Sequence, residues 1–139
     1  MSETGEKIFV FTPDAVPPLP IFCTIIPSGN CLKHTDTTNA IAQAVVSKGI
    51  VYASGNIGCD SNFKLVEGGV QAQTRAALRN LAIILQAAGS GLEHIVKANI
   101  YLANMPRDFQ AMNEVYAEFL GLPTVPGTGT AVEKTGSDG

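Results

Sequence analysis

Apolar and aromatic residues fill "KIFVFTP" ahead of Pro13, in the alternation of a strand with one face against a core. "DAVPPLP" cannot continue that strand, because each proline removes a backbone donor, so it reads as an extended, turn-rich connection. The pattern becomes regular again at "QAVVSKGIVYASG", which predicts strands from Gln43 to Val46 and from Ile50 to Ser54. They join at Ser47-Lys48-Gly49, where glycine suits a hairpin's positive φ. The polar, glycine-punctuated "NIGCDSNFKLVEGG" is a surface loop.

Helical spacing then takes over. In "VQAQTRAALRNLAIILQAAG", Val70, Thr74, Ala77, Leu78, Leu81, Leu85 and Ala88 share a face, Gln71, Arg75, Arg79 and Gln86 fall away from it, and Gly89 ends the helix. "HIVKANIYLAN" returns to a period of two: Val96, Ala98, Ile100 and Leu102 would face a core, with Lys97, Asn99 and Tyr101 on a mixed opposite face, wet or in contact with another subunit. Pro106 opens a second helix whose stripe is Phe109, Met112, Tyr116 and Phe119, ended by Gly121. From Leu122 onward the chain has almost no period and is expected to be a disordered tail. The order strand, strand, strand, helix, strand, helix implies an α+β fold with two helices on one face of a sheet.

Composition narrows the setting. A chain of 139 residues and 14.5 kDa is one domain. With 45 % apolar and only 15 % charged residues, its surface is lean for a monomer and is expected to meet another subunit. A net charge of −3 and a pI near 5.2, with no basic cluster, argue against nucleic acid or an anionic membrane as main partner. Cys23, Cys31 and Cys59 lack zinc or dithiol spacing, which points to a reducing compartment. "MSETGEKIFVF" has the character of neither a signal peptide nor an organellar presequence, and no apolar run reaches the ~18 residues of a membrane helix. The default location is cytoplasmic, with mitochondrial entry left open.

"PPLPIF", "QAVVSKGIVYASGNIG" and the stretch from "LVEGGVQAQTRAALRNL" through "MNEVYAEF" resemble the Rid, or YjgF, family of 2-iminobutanoate/2-iminopropanoate deaminases. The resemblance runs from about Pro17 to Phe22 and without a break from Gln43 to Phe119. It implies a chorismate-mutase-like mixed sheet with two helices on one face, and a homotrimer with ligand pockets between subunits. It implies hydrolysis of reactive 2-imino or enamine acids, released by pyridoxal-phosphate enzymes, to 2-keto acids and ammonia, without metal or cofactor. Substrate binding would then fall to Phe22 in a place usually held by tyrosine, to Ser54 and Gly55 of "ASGN", and to Phe109 and Asn113 on the second helix. Read without the family, Phe22 and Phe109 are core aromatics, Gly55 a turn residue and Asn113 a solvated one.

Two departures alter the expectation. The family's aromatic segment continues directly into "SQA", whereas here nineteen residues, Cys23 to Ile41, intervene before "AQA". If Cys23 is TGT and Ile41-Ala42 is ATA-GCN, excising the sequence between a GT donor and an AG acceptor restores "PIFSQA" in frame, so the stretch reads as a retained intron or gene-model error. The other reading is a genuine surface insertion, which loop-closure entropy tolerates at about 0.6 kcal/mol per doubling of length. After "EVYAEFLG" the family's "PAR" segment, with its carboxylate-binding arginine, and a final strand carrying a water-activating glutamate are expected to be missing: no arginine follows Arg107, and only Glu133 lies in the tail. The domain would thus be 1–121, interrupted at 23–41, with a non-family tail at 122–139.

No catalytic residue is assigned on this basis, and deamination by this chain should be impaired. Arg107, in a first helical turn, reads as exposed; His34 falls in the insert, His94 as a capping or surface residue, and Cys59 has no partner for a nucleophile system. The alternatives are a non-catalytic subunit of mixed trimers and a ribonuclease or translation inhibitor. Sequencing the transcript across the codons for Phe22 to Gln43 and past Leu120 is expected to give "PIFSQA" and a "PAR" strand; a dominant message encoding the 139 residues as written would overturn the intron reading.

Overall fold

A computed structural model describes residues 7–17 and 42–121, together with the backbone of 131–133. Phe22, the 23–41 stretch and most of the tail lie outside the described residues. Strands β1 (Lys7–Val10), β2 (Ala44–Ser47) and β3 (Ile50–Ala53) form an antiparallel sheet in that order. Ile8 stands opposite Val46 and Val46 opposite Val51, and Phe9, Val45 and Tyr52 line up on the other face. The β2–β3 hairpin closes through only two residues, Lys48 (φ 50°) and Gly49 (φ 76°). Two successive positive φ angles match the right-handed twist of the strands, and lysine adopts one at Lys48 because the turn demands it.

Helix α1 (Gly69–Ala87) lies over this sheet. Ile84, 2 % exposed, packs with Val10, Ala15 and Ala44, and Val46, Val51 and Ala88 surround them. Burying a side chain of that size contributes about 1.5–3 kcal/mol. Helix α2 (Met105–Leu120) packs against α1, with Met112 and Val115 each 1 % exposed. It starts where the sequence indicates: the Asn104 side chain accepts from the Arg107 amide at 3.1 Å, Pro106 sits in the first turn, and Gly121 (φ 61°) ends it.

Contact on two sides changes which residues of α1 are inside. The expected stripe holds at Leu78 and Leu85, but Ile84 and Asn80 are buried as well. Gln71 and Arg75 are not simply solvated: Gln71 donates to Glu114 and Arg75 to Glu118, each at 3.1 Å, across the α1–α2 seam. In α2 the stripe at Phe109, Met112, Tyr116 and Phe119 is right in direction, but Val115 and Ala117 are buried more deeply than its aromatics. Burial pushes the Tyr116 phenol up from its ordinary pKa.

The α+β class holds, with two differences. The strand expected over "HIVKANIYLAN" is reduced to β4 (Ile100–Leu102); Leu92–His94 forms a 3₁₀ turn, and Val96, expected in the core, is 96 % exposed. A strand needs a ladder for its backbone groups, and among the described residues none flanks 95–99. Within the stretch expected to be a disordered tail, the short strand β5 (Ala131–Glu133) runs parallel to β4, Ile100 opposite Ala131 and Leu102 opposite Glu133. Among the described residues the strands pair as β1–β2–β3 and as β4–β5.

The loop after β3 folds back onto α1. Val66 donates to the Gly58 carbonyl at 3.0 Å, Cys59 bridges Leu65, and Gly58 lies so near the helix that an added Cβ would collide with the Gln73 backbone. Backbone cannot step aside as a side-chain tip can, so Gly58→Ala is expected to lower unfolding free energy by about 3 kcal/mol, at the upper end of typical overpacking costs. Urea denaturation would measure it; an unchanged midpoint would show that the loop does not hold this approach in solution.

Candidate ligand site

Four segments converge at one side of α1: the connection after β1, the entry to β2, the loop after β3, and the middle of the helix. Between them is a small cleft lined by Val16, Pro17, Gln43, Ser54, Gly55, Asn56, Ile57, Cys59, Asn80 and Ile84, with room for about one water molecule. Of the sequence-derived candidates, Ser54 and Gly55 meet here. Phe109 and Asn113 share a face of α2, both half-buried, and do not line the cleft; Phe22 is outside the described residues.

Polar side chains build the walls. Gln43, 3 % exposed, accepts from the Thr12 amide at 2.7 Å and donates to the carbonyls of Thr12 (3.2 Å) and Val16 (3.0 Å). Its backbone joins two strands: its amide donates to the Val10 carbonyl, and its carbonyl accepts from the Ser54 amide at 2.9 Å. Asn80, 8 % exposed, accepts from the Val16 amide at 2.6 Å and donates to the Asn56 side-chain oxygen. Asn56 donates to the Ser54 carbonyl at 2.9 Å, and the Ser54 hydroxyl donates to the Ala42 carbonyl at 2.8 Å. Among the described residues no buried side-chain nitrogen or oxygen lacks a partner. An unmade bond there would cost about 1–3 kcal/mol per group.

Among the described residues no charged side chain lines this cleft. Arg107, the tempting cation, is 72 % exposed on α2 and engaged at 2.7 Å through both Nε and Nη2 with the two carboxylate oxygens of Asp108. That bidentate pair raises the arginine's pKa and lowers the aspartate's. Cys59, read from the sequence as part of a polar loop, is a buried free thiol on the cleft wall. Burial first, then the Asp60 charge, push its pKa up, so it is held as the unreactive thiol. Among the described residues no cluster of histidine, cysteine or carboxylate could hold a metal ion, and no helix is long and apolar enough to cross a membrane. Among the described residues the arrangement offers neutral hydrogen-bonding groups and backbone, a binding wall without an acid–base pair.

Gln43 and Asn80 are the residues sequence reasoning missed. Gln43 was legible as a strand residue and no more. Asn80 lies among alanines and leucines, and a polar residue inside an apolar stretch of helix is the signal that could have marked it.

The family model described as Endoribonuclease L-PSP matches residues 32–133, a span that begins inside the 23–41 stretch and takes in β5. The chain is 47 % identical over 93 residues to the mitochondrial protein mmf2 of Schizosaccharomyces pombe, covering 66 % of this chain and 71 % of that one. It is 42 % identical over 88 residues to the 2-iminobutanoate/2-iminopropanoate deaminase of Rattus norvegicus, covering 63 % and 64 %. For mmf1 of the same fission yeast the matched part spans 49 % of the relative's length. Among solved structures, yeast Mmf1 superposes with a TM-score of 0.66 at 25 % identity, over 93 % of this chain and 84 % of that one. RidA from an Antarctic Psychrobacter gives 0.56 at 30 % identity, over 71 % and 76 %.

Proposed function

We propose that this chain, which belongs to the Endoribonuclease L-PSP family also known as Rid or YjgF, carries a small-molecule site of the imine-deaminase kind that binds 2-imino or enamine acids and hydrolyses them poorly. The observation that carries the reading is the cleft wall at Ser54 and Gly55, neutral among the described residues that line it. An imino acid brings a carboxylate, and hydrolysis needs that carboxylate clamped, the imine carbon polarised and a water placed. Ser54 and Gly55 supply backbone and hydroxyl groups for such a ligand. Phe109 and Asn113, off this cleft, would complete the pocket from a neighbouring subunit. Among the described residues the cation is missing from the cleft, and Arg107 is committed to Asp108. Loss of a charge-assisted clamp costs about 2–5 kcal/mol, or roughly thirty- to several-thousand-fold in affinity.

Incubation with 2-iminopropanoate, generated in place by a serine dehydratase, tests this. The expected result is ammonia release little above spontaneous hydrolysis, while the rat deaminase in the same assay is fast. Turnover by the 139-residue chain matching that relative would overturn the impaired reading. Absence of both turnover and binding of a 2-keto acid would overturn the site itself. Binding without turnover favours a non-catalytic, ligand-binding subunit, a reading supported by the neutral lining.

A homotrimer follows from the same proposal, and the outer face of the three-stranded sheet supports it. Phe11, Ile50 and Tyr52, on the side away from α1, are 54, 51 and 55 % exposed. Apolar groups side by side on one sheet face are a contact surface in waiting. Light scattering on the purified chain should give three times the 14.5 kDa chain mass, and Tyr52→Glu should lower it. A monomer at micromolar concentration would sink the proposal.

A further inference from the structure

We infer that Asn56 and Asn80 are positioning residues, a pair of side-chain amides through which helix α1 sets the placement of the Ser54–Gly55 wall. This rests on the proposal that the wall meets the ligand. Asn80 is on the central part of α1, and Asn56 comes three residues after the end of β3. The bonds between them run one way, from the Val16 amide to the Asn80 oxygen, from the Asn80 nitrogen to the Asn56 oxygen, and from the Asn56 nitrogen to the Ser54 carbonyl.

The direction is forced from both ends. A backbone N–H can only donate and a backbone C=O can only accept, so neither amide can flip without setting like groups against each other. A chain of this kind is fixed in orientation as well as length. It transmits the helix's position to a segment that, among the described residues, has no ladder partner beyond the Ser54 bond to Gln43. The same Asn80 oxygen holds Val16, so one helical side chain sets two walls of the cleft. The burial of Asn80 accords with this use, since an asparagine in that position buries two polar groups that alanine would not, and is tolerated only when both are bonded.

Asn56→Asp is the informative change. The carboxylate still accepts from Asn80 but has nothing to donate to the Ser54 carbonyl, so the chain breaks at one known link. Asn80→Asp breaks the preceding link, keeping the acceptor for Val16 and losing the donor to Asn56. Asn62→Asp, in the same loop but exposed and off the cleft, controls for added charge. Amide hydrogen exchange and titration with 2-oxobutanoate, followed by backbone amide shifts on the full chain, read out the effect.

In Asn56→Asp the Ser54 amide should exchange about ten-fold faster, the β2–β3 ladder amides should keep their protection, and 2-oxobutanoate should bind about five- to ten-fold more weakly, on the scale of one lost hydrogen bond. The control should match the parent chain in all three. Equal exchange at Ser54 and equal affinity in parent and variant would overturn the inference, as would uniform loss of protection across the ladder, which marks a merely structural residue. If the parent chain binds no 2-oxobutanoate, the ligand reading of the wall fails. The exchange at Ser54 then decides alone whether the pair positions it: faster in Asn56→Asp supports the pairing, unchanged overturns it. Should Asn56→Asp fail to fold, Asn80→Asp is read against the same criteria.

Discussion

One buried side-chain amide, that of Gln43, holds the architecture together where the chain is least regular. After β1 the backbone passes through a proline-rich connection whose donors and acceptors have no strand to pair with. Gln43 takes up three of these groups at Thr12 and Val16, while its own backbone ties β1 to β2 and β2 to the end of β3. Buried amides are costly unpaired and directional when paired, so the stretch becomes a fixed wall instead of a loose loop. Asn80 repeats the device from the helix side. The apolar core of Val10, Ala44 and Ile84 brings helix and sheet together, and the amides decide how the irregular parts sit on them.

That division explains what the sequence disclosed and what it kept back. The hairpin was readable because its turn and alternation agree, and both helices because their apolar residues recur at helical spacing with stops at Gly89 and Gly121. Strand β5 was not readable: three residues carry no period, and their partner lies some thirty positions earlier. Val96 misled in the opposite way, since its alternation is genuine but no strand stands beside it. Of the cleft's lining, Ser54 and Gly55 were named through family resemblance. Gln43 and Asn80 escaped because composition and period reward apolar residues, and a buried polar residue is recognised only from the groups that surround it.

The described ion pairs of the helices lie away from the cleft. Arg75 with Glu118 and Arg107 with Asp108 occupy the outer helical surface, where ion pairs are worth little in stability but fix side-chain direction. The cleft is left with amides, a hydroxyl and a thiol kept protonated by burial. The described part of the lining offers a ligand shape and hydrogen bonds.

The bonds joining Val16 to Gln43 and Asn80 have a topological consequence. They bring the described chain on either side of residues 18–41 to one place and hold it there by contacts that do not depend on the covalent path between. The domain thus has a seam, a point where its two parts recognise each other through space. Evolution, or an engineer, could lengthen, shorten or cut the chain at such a seam and leave the three-dimensional object intact.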